Sequence, residues 1–405
     1  PIRVQYDNGT LMEIKRISET GLPRYLKTNN LVAAKTISTD KLWGKGELGL
    51  SLSGEGIVVG VWDGGPILNT HTEFDTRVRL IDETEDPVFH ATHVAGTIAA
   101  AGIREDARGM ANKSTIDGYE WNNDNAEMRS AASSGLLISN HSYGFVHGWN
   151  YDDELERWEW YGDEAISKTE DMYFGYYGED ARVWDDIQFK NPRYLIVKSA
   201  GNDRGEGPAA GAEHYVWTQA SGWAKSTTVR GVDGNDGYDC IGSQATSKNI
   251  LTVGAVNDIP DGYSNSGDVS LAGFSAFGPT DDGRIKPDIV GNGIGLMSTS
   301  SSGSYSSSSG TSMSSPNVAG SLALLQEYNL DLNGEYLYAS ALKALVLHTA
   351  DDAGPIGPDY KFGWGLMNTA SAAKIIARQD SSTFFHDTIR DTEVLEFPFY
   401  CTGID

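Results

Sequence analysis

Cysteine is nearly absent: Cys240 and Cys401 are the two in 405 residues. That excludes a disulfide framework and a thiolate zinc site. A single bridge between them stays open, because sequence says nothing about their distance in space. Long apolar runs are also missing. None approaches the ~18 residues that a membrane-spanning helix needs, so membrane insertion is not expected. Positive charge is scarce, with 31 Lys and Arg against 56 Asp and Glu and a net charge of -25. Such a chain is a poor partner for nucleic acid or for an anionic membrane surface. The start at Pro1 lacks an initiator Met and a secretory leader, which predicts a trimmed or processed product.

The length allows a large core, either as about two domains of ~150 residues or as one enlarged α/β domain. Residues 1 to about 50 are polar, with loop-like stretches at Lys27 to Asn30 and Gly44 to Gly49. From Gly56 the pattern changes. Ile57 to Trp62, Leu136 to Ser139, Tyr194 to Val197 and Ile250 to Val256 are short apolar runs, as expected of strands buried on both faces. Helix-compatible stretches such as Thr92 to Ala101 and Asn125 to Ser134 lie between them. The alternation predicts a parallel sheet covered by helices on both faces. The serine-rich run Ser298 to Ser309 reads as a loop ahead of a helix, and a last small-residue helix runs to about Arg378.

Four short segments carry the chemistry: Val61-Trp62-Asp63-Gly64-Gly65, His90-Ala91-Thr92-His93, Ser199-Ala200-Gly201-Asn202 and Gly310-Thr311-Ser312-Met313-Ser314-Ser315-Pro316. They supply a carboxylate, an imidazole, an amide donor and a hydroxyl, which are the parts for acyl transfer through a covalent serine intermediate. Asp63 and Asn202 each follow a strand, while His90 and Ser312 each precede a helix-compatible run. Positions beyond the carboxyl ends of parallel strands can converge. Ser312 opens its helix, with Pro316 expected in the first turn, where a missing N–H costs little. One of His90 and His93 is the candidate base. The alternative is a metal pair, although a spacing of three without a nearby third ligand is weak evidence for zinc. Ser312 also suits an N-cap, and Asp63 and Asn202 suit turns.

Together these segments resemble the subtilisin-like serine peptidase family, the subtilases, whose Asp, His, Ser order they share. The resemblance runs from about Gly54 to Arg378 and includes Phe274 to Pro279 and Ile285 to Ile289. It implies an α/β fold with a subtilisin-like parallel sheet flanked by helices, and a serine endopeptidase acting on proteins or peptides. In that family the first histidine of the His-x-Thr-His motif is the base, which assigns His90. Asp63, Ser312 and the oxyanion donor Asn202 carry over by position. Ser142-Tyr143-Gly144 and Ser199-Ala200-Gly201 match the segments that flank the substrate backbone and form the P1 pocket. Three positions depart from the family pattern: Gly64 replaces Thr or Ser, Ala91 replaces Gly, and Ser314 replaces Ala. A sedolisin-type reading would need Glu in place of His90. A kexin-type processing protease with basic P1 preference, and an inactive subtilase-fold binding module, are the other readings.

The resemblance also sets expectations for organisation. Residues 1–50 form an N-terminal extension or a remnant of the protein's own propeptide, 51–378 the catalytic domain, and 379–405 the start of a β-rich segment. Two insertions stand out, about fifty residues between Gly144 and Tyr194 and then Asp203 to Thr246. The first is acidic and aromatic. It reads either as a cleft lining that favours basic substrates or as a flap with its own small aromatic core. The chemistry needs no cofactor. Calcium is common in the family, yet the usual loop after the histidine helix looks shortened at Ala101 to Met110. Asp233, Asn235 and Asp239 alternate as in calcium loops and are the candidate ligands. Family and acidity together imply a secreted or cell-surface protein.

Overall fold

Seven parallel strands make the central sheet of this computed structural model, which describes residues 30–82, 86–218, 221–231 and 237–378, the strands of residues 3–27, and positions 387, 389–394 and 396. The strands of the sheet are β4 (Val58–Asp63), β5 (Val78–Leu80), β6 (Thr115–Glu120), β7 (Ile138–His141), β10 (Leu195–Ser199), β13 (Leu251–Val256) and β14 (Ile289–Asn292). Their spatial order is β14-β13-β10-β7-β4-β6-β5. The chain starts in β4, goes outward to β5 and β6, then crosses to β7 and marches the other way. The order therefore reverses between β4 and β7, and the crevice beyond their carboxyl ends is where such sheets bind ligands.

Helices α1 (Asn30–Thr36), α2 (Phe89–Ala99), α3 (Asp124–Ser133), α4 (Glu179–Lys190), α5 (Thr311–Asn333), α6 (Ala339–His348) and α7 (Thr369–Ala377) cover the sheet. Helix α5 is buried along most of its length and packs on α2, α7 and strands β7, β10, β13 and β14. One large apolar cluster joins α2, α5 and one sheet face. A smaller one, with Trp62, Trp184 and Tyr194, joins the opposite face to α3 and α4. The predicted parallel sheet with helices on both faces is what forms. Part of the polar leading stretch belongs to the main core: Ala33, Ile37, Leu42 and Trp43 are buried within it. Residues before it form a three-stranded antiparallel sheet, β1 (Arg3–Gln5), β2 (Leu11–Ile17) and β3 (Pro23–Lys27).

Two expectations about local structure change. The run Ser298 to Ser309 is not a plain loop but most of an antiparallel hairpin, β15 (Leu296–Thr299) and β16 (Tyr305–Ser308). Tertiary bonds hold its first strand: Ser298 Oγ donates to His93 O at 2.7 Å, and Thr299 Oγ1 to Thr92 O at 2.7 Å. Pro316 is the sixth residue of α5 and so lies past the first turn. Its missing N–H frees the carbonyl of Ser312 four residues back, and the Ser142 hydroxyl donates to that oxygen at 3.0 Å.

The two insertions fold together. Strands β8 (Trp149–Asp152) and β9 (Arg157–Trp160) from the first pair with β11 (His214–Thr218) and β12 (Gly222–Ser226) from the second, in the order β12-β11-β9-β8. Trp149, Trp160 and Val216 form their apolar core. Cys240 is buried, its thiol donating to Gly237 O and Phe277 O at 3.5 Å each. The bridge to Cys401 that the sequence leaves open, and the expected β-rich segment after 378, fall on or largely on residues outside those described. Among the described residues no helix is long and apolar enough to cross a membrane.

Candidate active site

Asp63 is the last residue of β4 and Ser142 directly follows β7, so both stand at the point where the strand order reverses. His90 is the second residue of α2, which starts earlier than its sequence suggests. Ser312 is the second residue of α5, behind Gly310, whose φ of 156° and ψ of 162° suit glycine alone. Asn202 follows β10. From positions scattered over 250 residues of chain, the fold brings Asp63 to His90, and Asn202 and Ser312 to one cavity.

Asp63 is buried, and both its carboxylate oxygens lie 2.8 Å from His90 Nδ1. Oδ1 also accepts the Gly64 N–H at 2.7 Å. A Cβ on residue 64 would lie 2.9 Å from the far end of the exposed Trp121 ring, so Thr or Ser there would require that ring to shift. The His90 side chain is 35% exposed, leaving its outer edge open to the cleft. Burial pulls its pKa down, but the hydrogen bond and charge of Asp63 outweigh that and hold it above 6.5. His93 differs in every respect. It is fully buried, its Nε2 faces the Leu296 and Ser306 carbonyls at 3.1 Å each, and burial drives its pKa to about 4. The nitrogen facing two carbonyls must carry the hydrogen, so His93 is a neutral core residue. That separates the two histidines, which spacing could not do.

The Ser312 hydroxyl donates to the Ser142 carbonyl at 3.0 Å. Asn202 Oδ1 accepts from both the backbone N–H and the hydroxyl of Thr311, each at 2.9 Å. With its oxygen held, the Asn202 amide nitrogen is the end left facing Gly310, 3.5 Å from where a Cβ there would stand. Ser314 donates to Thr311 O at 3.0 Å inside the helix, so the departure from alanine is satisfied. Ala91 is buried in the main core.

Beside Ser312 opens a cavity of about 260 Å³. Ser142 to Gly144 form one wall and Ser199 to Asn202 the other, with Trp149 and Asn150 of the insertion sheet along its side. The insertion thus has its own aromatic core and also lines the cleft. Three charged residues on the wall escaped the sequence reading: Lys198, Asp203 and Glu206. The available signals were a lysine directly after the apolar run Leu195-Ile196-Val197 and an aspartate next to Asn202.

Among the calcium candidates, Asp233 and Asn235 lie outside the described residues. Asp239 is described, and its Oδ1 is buried without a hydrogen-bond partner. Burial, Asp281 and Glu170 raise its pKa to about 6. Calcium takes six to eight oxygens, whereas among the described residues no group of three or more metal-ligating side chains forms.

An imidazole on a buried carboxylate, and a hydroxyl at a helix start that shares a cavity with an amide donor, are the parts of a serine peptidase. The comparisons agree. The model of the Subtilase family matches residues 54–365, and the chain belongs to that family. It is 27% identical over 312 residues to Serine protease AprX of Bacillus subtilis (strain 168), a match covering 70% of this chain and 60% of AprX. With Subtilisin Savinase of Lederbergia lenta it shares 25% over 328 residues, covering 80% of this chain and 93% of that protein. The CspB protease of Clostridium perfringens has the same fold, with a TM-score of 0.60 and 18% identity over 86% of this chain and 99% of that one. The self-cleaved protease domain of PatA superposes with a TM-score of 0.53 and 20% identity, covering 81% of this chain and 99% of that domain.

Proposed function

We propose that the protein is a serine endopeptidase that cleaves peptide bonds through an acyl-enzyme on Ser312. The observation carrying this reading is the two-oxygen contact between Asp63 and His90 Nδ1, taken together with a cavity lined by Ser312 and Asn202. Asp63 holds the hydrogen on Nδ1, which leaves the lone pair on Nε2 for the serine proton. The Ser312 hydroxyl donates to the Ser142 carbonyl in the resting arrangement, and attack requires it to turn its proton to the His90 Nε2 lone pair. Ser312 Oγ then bonds to the substrate carbonyl carbon as its proton passes to His90. The carbonyl oxygen becomes an oxyanion, stabilised by the Asn202 amide and by the Ser312 N–H, an orphan donor at a helix start. His90 gives its proton to the leaving amine, and the C–N bond breaks. Water repeats the sequence on the ester, regenerating the serine and releasing the acid. Secretion or display at the cell surface, and maturation by removal of residues before about Asn30, complete the proposal.

A fluorophosphonate probe tests the reading. It should label the parent protein and neither Ser312→Ala nor His90→Ala. Labelling that survives in Ser312→Ala would place the activated nucleophile elsewhere.

Asn202→Ala is expected to lower kcat by about 10²–10³-fold with a far smaller change in KM, because its amide acts on charge that exists only after attack. An equal effect on KM would show a substrate-binding role instead. The base must be neutral to accept a proton, so kcat/KM should fall as pH drops through a midpoint above 6.5. Measuring that profile in Asp63→Asn should show the midpoint moved downward along with a lower plateau.

A further inference from the structure

The cavity beside Ser312 is charged, and its charges do not cancel. It holds two carboxylates, Asp203 and Glu206, and one ammonium, Lys198. Neither carboxylate has an ion-pair partner within 4.0 Å among the described residues. Arg204, between them in sequence, is turned away: its guanidinium donates to Ser275 O at 3.0 Å and Ala272 O at 2.5 Å and lies over Phe277. The Lys198 ammonium is tied down in turn, donating to Ser199 O at 2.8 Å and Ser199 Oγ at 3.1 Å. It sits behind the cavity wall, 3.7 Å from where a Cβ on Gly144 would be.

The remaining titratable neighbours supply no cation. His147 Nε2 faces the Ser243 N–H at 3.4 Å, and burial lowers its pKa. His141, on the next strand, is buried, and burial together with the Lys198 charge keeps it neutral. Asp203 feels the Lys198 charge but is bonded to no cation, and Glu206 is exposed, so a ligand can bring a closer positive partner to both.

We infer that this cavity selects a lysine or arginine side chain at P1 through Asp203 and Glu206, and that Lys198 acts as an internal competitor that weakens this selection. The inference rests on the peptidase reading, which puts the residue before the scissile bond into this cavity. A carboxylate at P1 would meet two like charges. An apolar P1 would seal Asp203 from water without a partner. A guanidinium or ammonium satisfies both acids and is opposed only by Lys198.

The competitor makes the selection depend on pH. Burial pushes the Asp203 carboxyl up to about 7, with Glu206 adding to the shift and Lys198 opposing it. Burial likewise lowers the Lys198 ammonium to about 7, against the pull of Asp203. Raising the pH through this range ionises the partner of a basic P1 and discharges its opponent. Both changes favour the basic substrate.

The test is kcat/KM for paired peptides differing only in Arg or Leu at P1, using the full chain and concentrations set by fluorophosphonate titration. The ratio of the two cancels the titration of His90, which both substrates share. In the parent the Arg/Leu ratio should exceed ten and rise from pH 6 to pH 8, on the order of one charge interaction. Asp203→Asn should cut the ratio about tenfold, chiefly through KM. Lys198→Met should raise it and weaken its pH dependence, while Lys198→Arg keeps the cation and should not raise it. A merely structural cavity would move both acid and base variants the same way, and that result overturns the inference. So does a parent that prefers Leu or Glu at P1. Titratable protein without basic preference would overturn this inference alone, whereas no labelling at all would overturn the peptidase reading and this one with it.

Discussion

Ser312→Ala is expected to lower kcat by roughly 10⁶-fold, the scale established for the subtilisin triad, without loss of the fold. On the proposed mechanism the hydroxyl is the nucleophile, and the substitution leaves no group at that position to form the acyl-enzyme. Its structural part is small, one hydrogen bond to the Ser142 carbonyl. The reciprocal bond from the Ser142 hydroxyl goes to the Ser312 backbone oxygen and survives the substitution. Thermal unfolding should therefore shift by little, about 1 kcal/mol at most. The double variant Ser312→Ala/His90→Ala should be no worse than either single change, since base and nucleophile act as a unit. Additive losses, measured as kcat on one peptide, would mean that the two residues act separately.

Asp288→Ala should produce the largest loss of stability, about 3–5 kcal/mol, by leaving a buried cation without its counter-charge. Asp288 Oδ2 accepts from Lys286 Nζ at 2.7 Å and from the Thr252 N–H at 2.7 Å. Oδ1 lies 3.1 Å from Lys343 Nζ. Lys286 is 2% exposed, and its other bond to protein is to Thr252 Oγ1 at 2.9 Å. Asp288→Asn keeps an acceptor and should cost less. Burial alone would raise the Asp288 pKa, but Lys286 and Lys343 together hold it below 3.8. A depressed carboxyl stabilises the fold above its unfolded value and loses that contribution as pH falls through the folded one. Chemical denaturation of parent and variant should thus converge in strong acid. A constant gap across that range would point to lost packing rather than lost charge.

The reacting groups were legible because their motifs are local: each pairs a strand end or helix start with a distinctive short sequence. The sheet was legible for a similar reason, since apolar runs such as Ile57 to Trp62 can only be buried on both faces. What escaped depends on distant partners. Helix α2 begins at Phe89 behind Val88, which makes no side-chain cap, so no start signal marks it. The β15–β16 hairpin is rich in serine, and its bonds to Thr92 and His93 come from residues more than 200 positions away. Strand β9 pairs with β11 across the boundary between two insertions that sequence treats as separate. Lys198, Asp203 and Glu206 belong to no motif, and the fold alone brings them onto one cavity wall.

Helix α5 links catalysis to the integrity of the whole molecule. The proposed nucleophile sits on the first turn of a 23-residue helix that is buried along most of its length. Such a segment cannot loosen locally, because its release exposes most of the core at once. Heat inactivation should then follow a single exponential that coincides with loss of the near-ultraviolet circular dichroism. Residual activity after heating would count surviving native molecules, and no partly folded population would retain turnover.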